Sequence, residues 1–139
     1  MKRFVCLLAA LGGAAALAAT SAAAPKSVSV LIRHQTHGCH TWSVAGGAFR
    51  ASQTVHLRRG GKLTIVNNDV MAQALVEKSG AKVRLTGNAK LNMMGARVTV
   101  TFPKAGTYRF ATKAGEDYPG MDRPTTGKDN KLTLKVIVS

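Results

Sequence analysis

His34, His37, Cys39 and His40 fall within seven residues and are followed closely by Trp42. A cysteine thiolate is a soft ligand and imidazole a borderline one, and the two together suit copper or zinc. His37 and Cys39 stand two residues apart, so in an extended segment they project the same way. His40 would point oppositely, and a bend at Gly38 could bring it in. There is no second cysteine nearby, so neither a Cys-x-x-Cys redox pair nor a haem-attachment motif is present. A lone buried cysteine often serves as a small hydrophobe, and loop histidines are often simply solvated. His34, like the fourth histidine, His56, sits in an alternating pattern and reads as a strand residue. His37, Cys39 and His40 together read as metal ligands.

The elements that must position this cluster follow from the periodicity. Ser27 to His34 alternates, with Val28, Val30 and Ile32 on one face. Gln53 to Leu57 and Lys62 to Val66 read as strands joined by the turn Arg58-Arg59-Gly60-Gly61. Asn67-Asn68-Asp69 is a turn signal, followed by strands over Ala72 to Glu77 and Lys82 to Leu85. Arg97 to Phe102 has a clean period of two, Pro103 to Gly106 turns the chain, and Thr107 to Thr112 and Lys131 to Val138 complete the set. Helical periodicity is weak throughout, with at most a turn between Gly87 and Gly95. Seven or eight short strands with regular turns predict an all-β sandwich.

The N-terminus reads as an address. Lys2 and Arg3 precede an apolar run from Phe4 to Ala19, and the small residues Thr20 to Ala24 follow. This is the layout of a secretory signal peptide over residues 1–24, cleaved after Ala22 or Ala23. The run of about 16 residues is short of the ~20 a spanning helix needs, so no stable membrane insertion is expected after cleavage. Residues 25–139 then form one domain, periplasmic or secreted. Cleavage removes Cys6 and leaves Cys39 as the one thiol. The whole chain has 139 residues, 20 basic and 6 acidic, with a net charge of +14. No Gly-rich phosphate loop, helical His-Glu-His pair or double Cys pair is present, so those enzyme classes lose their sequence support. The basic residues are dispersed without an aromatic-interleaved motif, which with export argues against nucleic acid. They favour an acidic partner protein or an anionic envelope polymer, or serve only to solubilise.

Two segments resemble the cupredoxin family of plastocyanin and azurin relatives. One is Val55 to Val76, which contains Arg59-Gly60-Gly61-Lys62-Leu63-Thr64-Ile65-Val66-Asn67-Asn68-Asp69. The other is Val98 to Met121, which contains Phe102-Pro103-Lys104-Ala105-Gly106-Thr107-Tyr108-Arg109-Phe110 and a loop ending Pro119-Gly120-Met121. The resemblance implies a cupredoxin-like Greek-key β-sandwich of seven to eight strands. It also implies a copper site at the end where these loops gather. Carried over by position, the first ligand histidine falls on Gln73 and the ligand cysteine on Thr112. The second histidine falls in Gly115 to Tyr118, which has none, and the axial methionine falls on Met121. The standard type 1 ligands are therefore not retained. The resemblance does place the loop holding His37, Cys39 and His40 at the same end as Met71 and Met121. Either thioether would complete a soft site biased towards Cu(I). Met71 reads equally as a core residue beside the turn. Met93 and Met94 read as core or loop packing rather than a metal-loading site, Trp42 as a core aromatic, and Glu116, Asp117 and Asp122 as solvated loop acids.

The expectation is an exported, non-enzymatic protein binding one copper ion for copper carriage or one-electron transfer. Its ligands would come from His37, Cys39, His40, Met71 and Met121, and its partner would be an acidic redox or copper-handling protein. The alternative is a metal-free cupredoxin-like module of the envelope, which Gln73 and Thr112 support. A cysteine nucleophile at Cys39 lacks a clear orienting acid.

Overall fold

The computed structural model describes residues 23–34, 40–114 and 132–139. Among the described residues there are nine strands: β1 Ser27–His34, β2 His40–Val44, β3 Ser52–Leu57, β4 Lys62–Asn67, β5 Gln73–Ser79, β6 Arg84–Gly87, β7 Arg97–Thr101, β8 Gly106–Ala114 and β9 Thr133–Val138. They form a five-stranded sheet in the order β2-β1-β4-β7-β6 and a four-stranded sheet in the order β3-β9-β8-β5. The β1–β4 and β3–β9 pairs are parallel and the other pairs antiparallel. The all-β sandwich expected from the sequence is thus what forms, with one strand more than the periodicity counted. The added strand is β2, whose residues read from the sequence as part of a metal-binding loop.

Period-two patterning builds the core. Val30 and Ile32, Val55 and Leu57, Leu63 and Ile65, Val98 and Val100, and Leu134, Val136 and Val138 all turn inward and are buried. Phe102 sits edge-on to Tyr108 (centroids 4.8 Å apart, interplanar angle 71°) and to Phe110 (6.1 Å, 80°). The Tyr108 hydroxyl donates to the Lys104 carbonyl at 2.7 Å and ties the β7–β8 turn down. Trp42 is fully buried, as a core aromatic should be.

β2 lies at a sheet edge, yet Thr41 and Ser43 are buried as well as His40 and Trp42. The chain after it doubles back. Trp42 and Arg50 exchange N–H···O bonds of 3.1 Å, Ser43 Oγ donates to the Gly47 carbonyl at 2.6 Å, and the Gln53 amide donates to the carbonyls of Trp42 and Ala48. An exposed edge would template pairing with other chains, and this fold-back covers it.

β5 carries a register shift between Glu77 and Ser79, where it pairs with β8. Gly80 follows, with φ +128°, and a Cβ there would lie 2.5 Å from Tyr108 Cδ1. Only glycine lets the backbone lie against that ring. Gly80→Ala is expected to lower unfolding free energy by about 2–4 kcal/mol in urea titration, from backbone strain plus displacement of a buried aromatic. A loss under ~0.5 kcal/mol, the range of an ordinary surface change, would contradict this packing.

Candidate metal centre

At one end of the sandwich β1 runs out at His34 and β2 begins at His40, the two being cross-strand partners. At the same end β4 ends at Asn67 and β5 begins at Gln73, opposite Ala114 of β8. Asn67 continues the inward alternation of Leu63 and Ile65, so the strand pattern itself delivers a polar side chain to the interior. Its amide is fully used. Nδ2 donates to the carbonyls of Met71 and Leu91, both at 2.8 Å, and Oδ1 accepts from the Asp69 N–H at 3.0 Å. Its backbone donates to the Ala96 carbonyl and accepts from the Gly95 N–H, and the next N–H, of Asn68, donates to the Ile32 carbonyl of β1.

This turn aims Asp69 inward. One carboxylate oxygen accepts from the Met71 N–H at 3.0 Å. The other lies 2.7 Å from His40 Nδ1, with the two side chains 0% and 1% exposed. A separation of 2.7 Å places a shared hydrogen between carboxylate and ring, making Nδ1 the protonated nitrogen. In the neutral imidazole the lone pair is then on Nε2. Histidines that ligate metals are commonly held this way, by a carboxylate on the nitrogen that does not face the ion.

Gln73 is also fully buried, and its Nε2 is placed 3.2 Å from the same Nδ1. A ring nitrogen that donates to Asp69 cannot also accept from an amide N–H. Turning the amide about its last bond would put Oε1, an acceptor, beside the ring hydrogen in place of Nε2. The other end of the amide, like Thr112 Oγ1, has no hydrogen-bond partner among the described residues. Gln73 and Thr112 both face inward here, at the two positions where the family resemblance sets a histidine and a cysteine. An amide and a hydroxyl replace the expected imidazole and thiol. What the end offers instead is His40, on a different strand, with its Nδ1 anchored by Asp69 and flanked by Gln73.

Of the other ligand candidates, Met71 is half-buried in the β4–β5 connection, two residues from Asp69. His37, Cys39 and Met121 lie outside the described residues, as do Glu116, Asp117 and Asp122. Among the described residues no three His, Cys, Asp or Glu side chains are grouped to hold an ion. Sequence reasoning missed Asp69 and the part played by Asn67, which read only as a turn. The available signal was that Asp69 is one of just six acids, set two residues before a candidate thioether.

No protein-family model matches the chain, and no curated protein does. Among solved structures it is similar to the inclusion body protein PixA from Burkholderia cenocepacia J2315. The TM-score is 0.52 at 10% identity, over 86% of this chain and 99% of that one. That likeness is one of fold. The chain is also similar to a purple cupredoxin from Nitrosopumilus maritimus (TM-score 0.45, 16% identity, 80% of this chain and 98% of that one). A Cu(I) form of a methionine-to-alanine mutant of amicyanin is similar too (0.42, 16%, 80% and 82%).

Asp69→Ala is expected to cost about 3–5 kcal/mol of stability, because it removes the 2.7 Å contact to a buried imidazole and frees the turn. Asp69→Asn keeps one oxygen, for His40 or for the Met71 N–H but not both, and fills the same space, so it should cost less, about 1–2 kcal/mol. Urea titration of both variants checks the order. Equal losses would mean that Asp69 does not hold the ring through its oxygen.

Proposed function

We propose that the chain is an exported copper-binding β-sandwich that carries copper or passes one electron at a non-standard site. One observation supports this above the others: a fully buried histidine whose Nδ1 lies 2.7 Å from a carboxylate, the arrangement in which metal-ligating histidines are commonly held. His40 would bind through Nε2, with Cys39 and His37 from the adjoining segment and the thioether of Met71 or Met121. A bound copper would supply a reversible one-electron couple, or a transferable Cu(I), within a soft ligand set. Asp69 would hold the ring's tautomer and direction, Asn67 would hold Asp69, and Gln73 would fill the space beside Nδ1.

Export rests on the N-terminal pattern of basic start, apolar run and small residues. No helix among the described residues is long and apolar enough to cross a membrane. Glu77 is the one exposed carboxylate among the described residues, while Lys and Arg side chains surround the sandwich. Such a surface favours an acidic partner by long-range attraction. A metal-free envelope module is the second reading, and the amide and hydroxyl at Gln73 and Thr112 favour it.

Competition for Cu(I) against a chromogenic chelator separates the two. Tight one-to-one binding is expected, weakened at least 100-fold in Cys39→Ser and in His40→Gln. Binding that both variants retain at full strength would remove this ligand set. No stoichiometric Cu(I) or Cu(II) would favour the metal-free module.

A further inference from the structure

The connection between β6 and β7 was expected to pack its methionines into the core or the loop, and it does not. Leu91 takes the buried place instead, fully enclosed and with φ +45°. Met93 and Met94 are left 61% and 55% exposed. They are held in a defined turn. The Ala96 N–H donates to the Met93 carbonyl at 3.0 Å, and the Gly95 N–H donates to the Asn67 carbonyl at 2.7 Å, with Gly95 at φ +83°. Asn67 also binds the Met71 carbonyl through its side chain. The methionine turn and Met71 are therefore fastened to the same residue, the one that also holds Asp69.

Two adjacent, solvent-facing thioethers on a fixed turn form a soft donor pair. Each methionine has three rotatable side-chain bonds, so both sulfurs can swing to one ion. Sulfur donors of this kind favour Cu(I) and its analogue Ag(I), whereas hard cations require oxygen ligands. Oxygen ligands are scarce here: the carboxylates among the described residues are buried Asp69 and Glu77 of β5, and the turn is flanked in sequence by Lys90 and Arg97. The positive charge disfavours hydrated divalent ions, and thioether bonding to a soft monovalent ion does not depend on opposite charge. We propose that Met93 and Met94 form a second, surface thioether site for a monovalent soft ion of the Cu(I)/Ag(I) class. The site is separate from His40 and stands at the same end of the sandwich, where an ion can be taken from solution or from a donor. It does not depend on His40 being a ligand.

The test is a silver(I) nitrate titration of the full chain in chloride-free buffer, with 13C-labelled methionine ε-methyl groups followed by NMR. Beyond the equivalents taken by the two cysteines, the Met93 and Met94 methyl signals should shift together with one added ion. Zinc should not move them. The double substitution Met93→Leu and Met94→Leu should weaken that step at least tenfold while leaving the thermal midpoint unchanged, since both side chains are exposed. His40→Gln should leave the step intact, which separates this site from the copper reading. Methyl signals that stay in place while silver binds, an equal response to zinc, or undiminished silver binding by the double variant would each overturn the proposal.

Discussion

The hydrogen bond between Asp69 and His40 is the constraint on which this end of the molecule depends. Two ionisable side chains have been taken out of water, and removing either takes from the buried other its 2.7 Å contact. The arrangement is held because each atom in the chain of contacts is spoken for. Asn67 delivers an amide inward at a core-facing position of β4, that amide receives the Asp69 N–H, and the Asp69 carboxylate receives Met71 N–H on one oxygen and faces the ring on the other. The end of β4, the β4–β5 connection and the start of β2 are thereby fixed to one another by polar contacts within an otherwise apolar sandwich.

In the proposed site the same network would supply a ligand without using the positions that the family resemblance assigns to ligands. Gln73 and Thr112 occupy those positions and stay in the interior. The imidazole comes instead from the start of β2, across from the end of β1. Because β2 is sealed at its outer edge by Arg50 and at its inner face by the core, His40 has little freedom beyond that one orientation. A rigid histidine beside connecting segments of the chain suits a site assembled from one fixed ligand and several adaptable ones. The exposed Met93–Met94 turn hangs from the same asparagine, so fixed and adaptable donors share one anchor.

Most of the sandwich was legible because its strands alternate cleanly, as Arg97 to Thr101 and Thr133 to Val138 do. β2 was hidden in plain view. His40-Thr41-Trp42-Ser43-Val44 also alternates, but ligand types drew it into a loop, and its burial on both faces comes from a fold-back that no local pattern announces. β6 was expected over Lys82 to Leu85 and forms over Arg84–Gly87, whereas the β-bulge before Gly80 depends on a partner strand distant in sequence. At the candidate centre, the residue types marked His40 and Met71. Asp69 was not legible, because an acid in an Asn-Asn-Asp turn looks solvated until the turn is seen to be anchored to β1 and to the β6–β7 connection. The exposure of Met93 and Met94 escaped the sequence for a similar reason: Leu91, two residues earlier, took the buried position.

In the proposed site copper would meet His40 through Nε2, and nitrogen NMR of the ring tests that directly. The full chain, labelled with 15N-histidine, would be loaded with one equivalent of Cu(I), which is diamagnetic and leaves the signals visible. The account predicts that His40 keeps its Nδ1–H against Asp69 while the Nε2 resonance moves to the range of a metal-bound nitrogen. A ring whose Nε2 resonance does not change on loading, or whose Nδ1 gives up its proton to the metal, would contradict it.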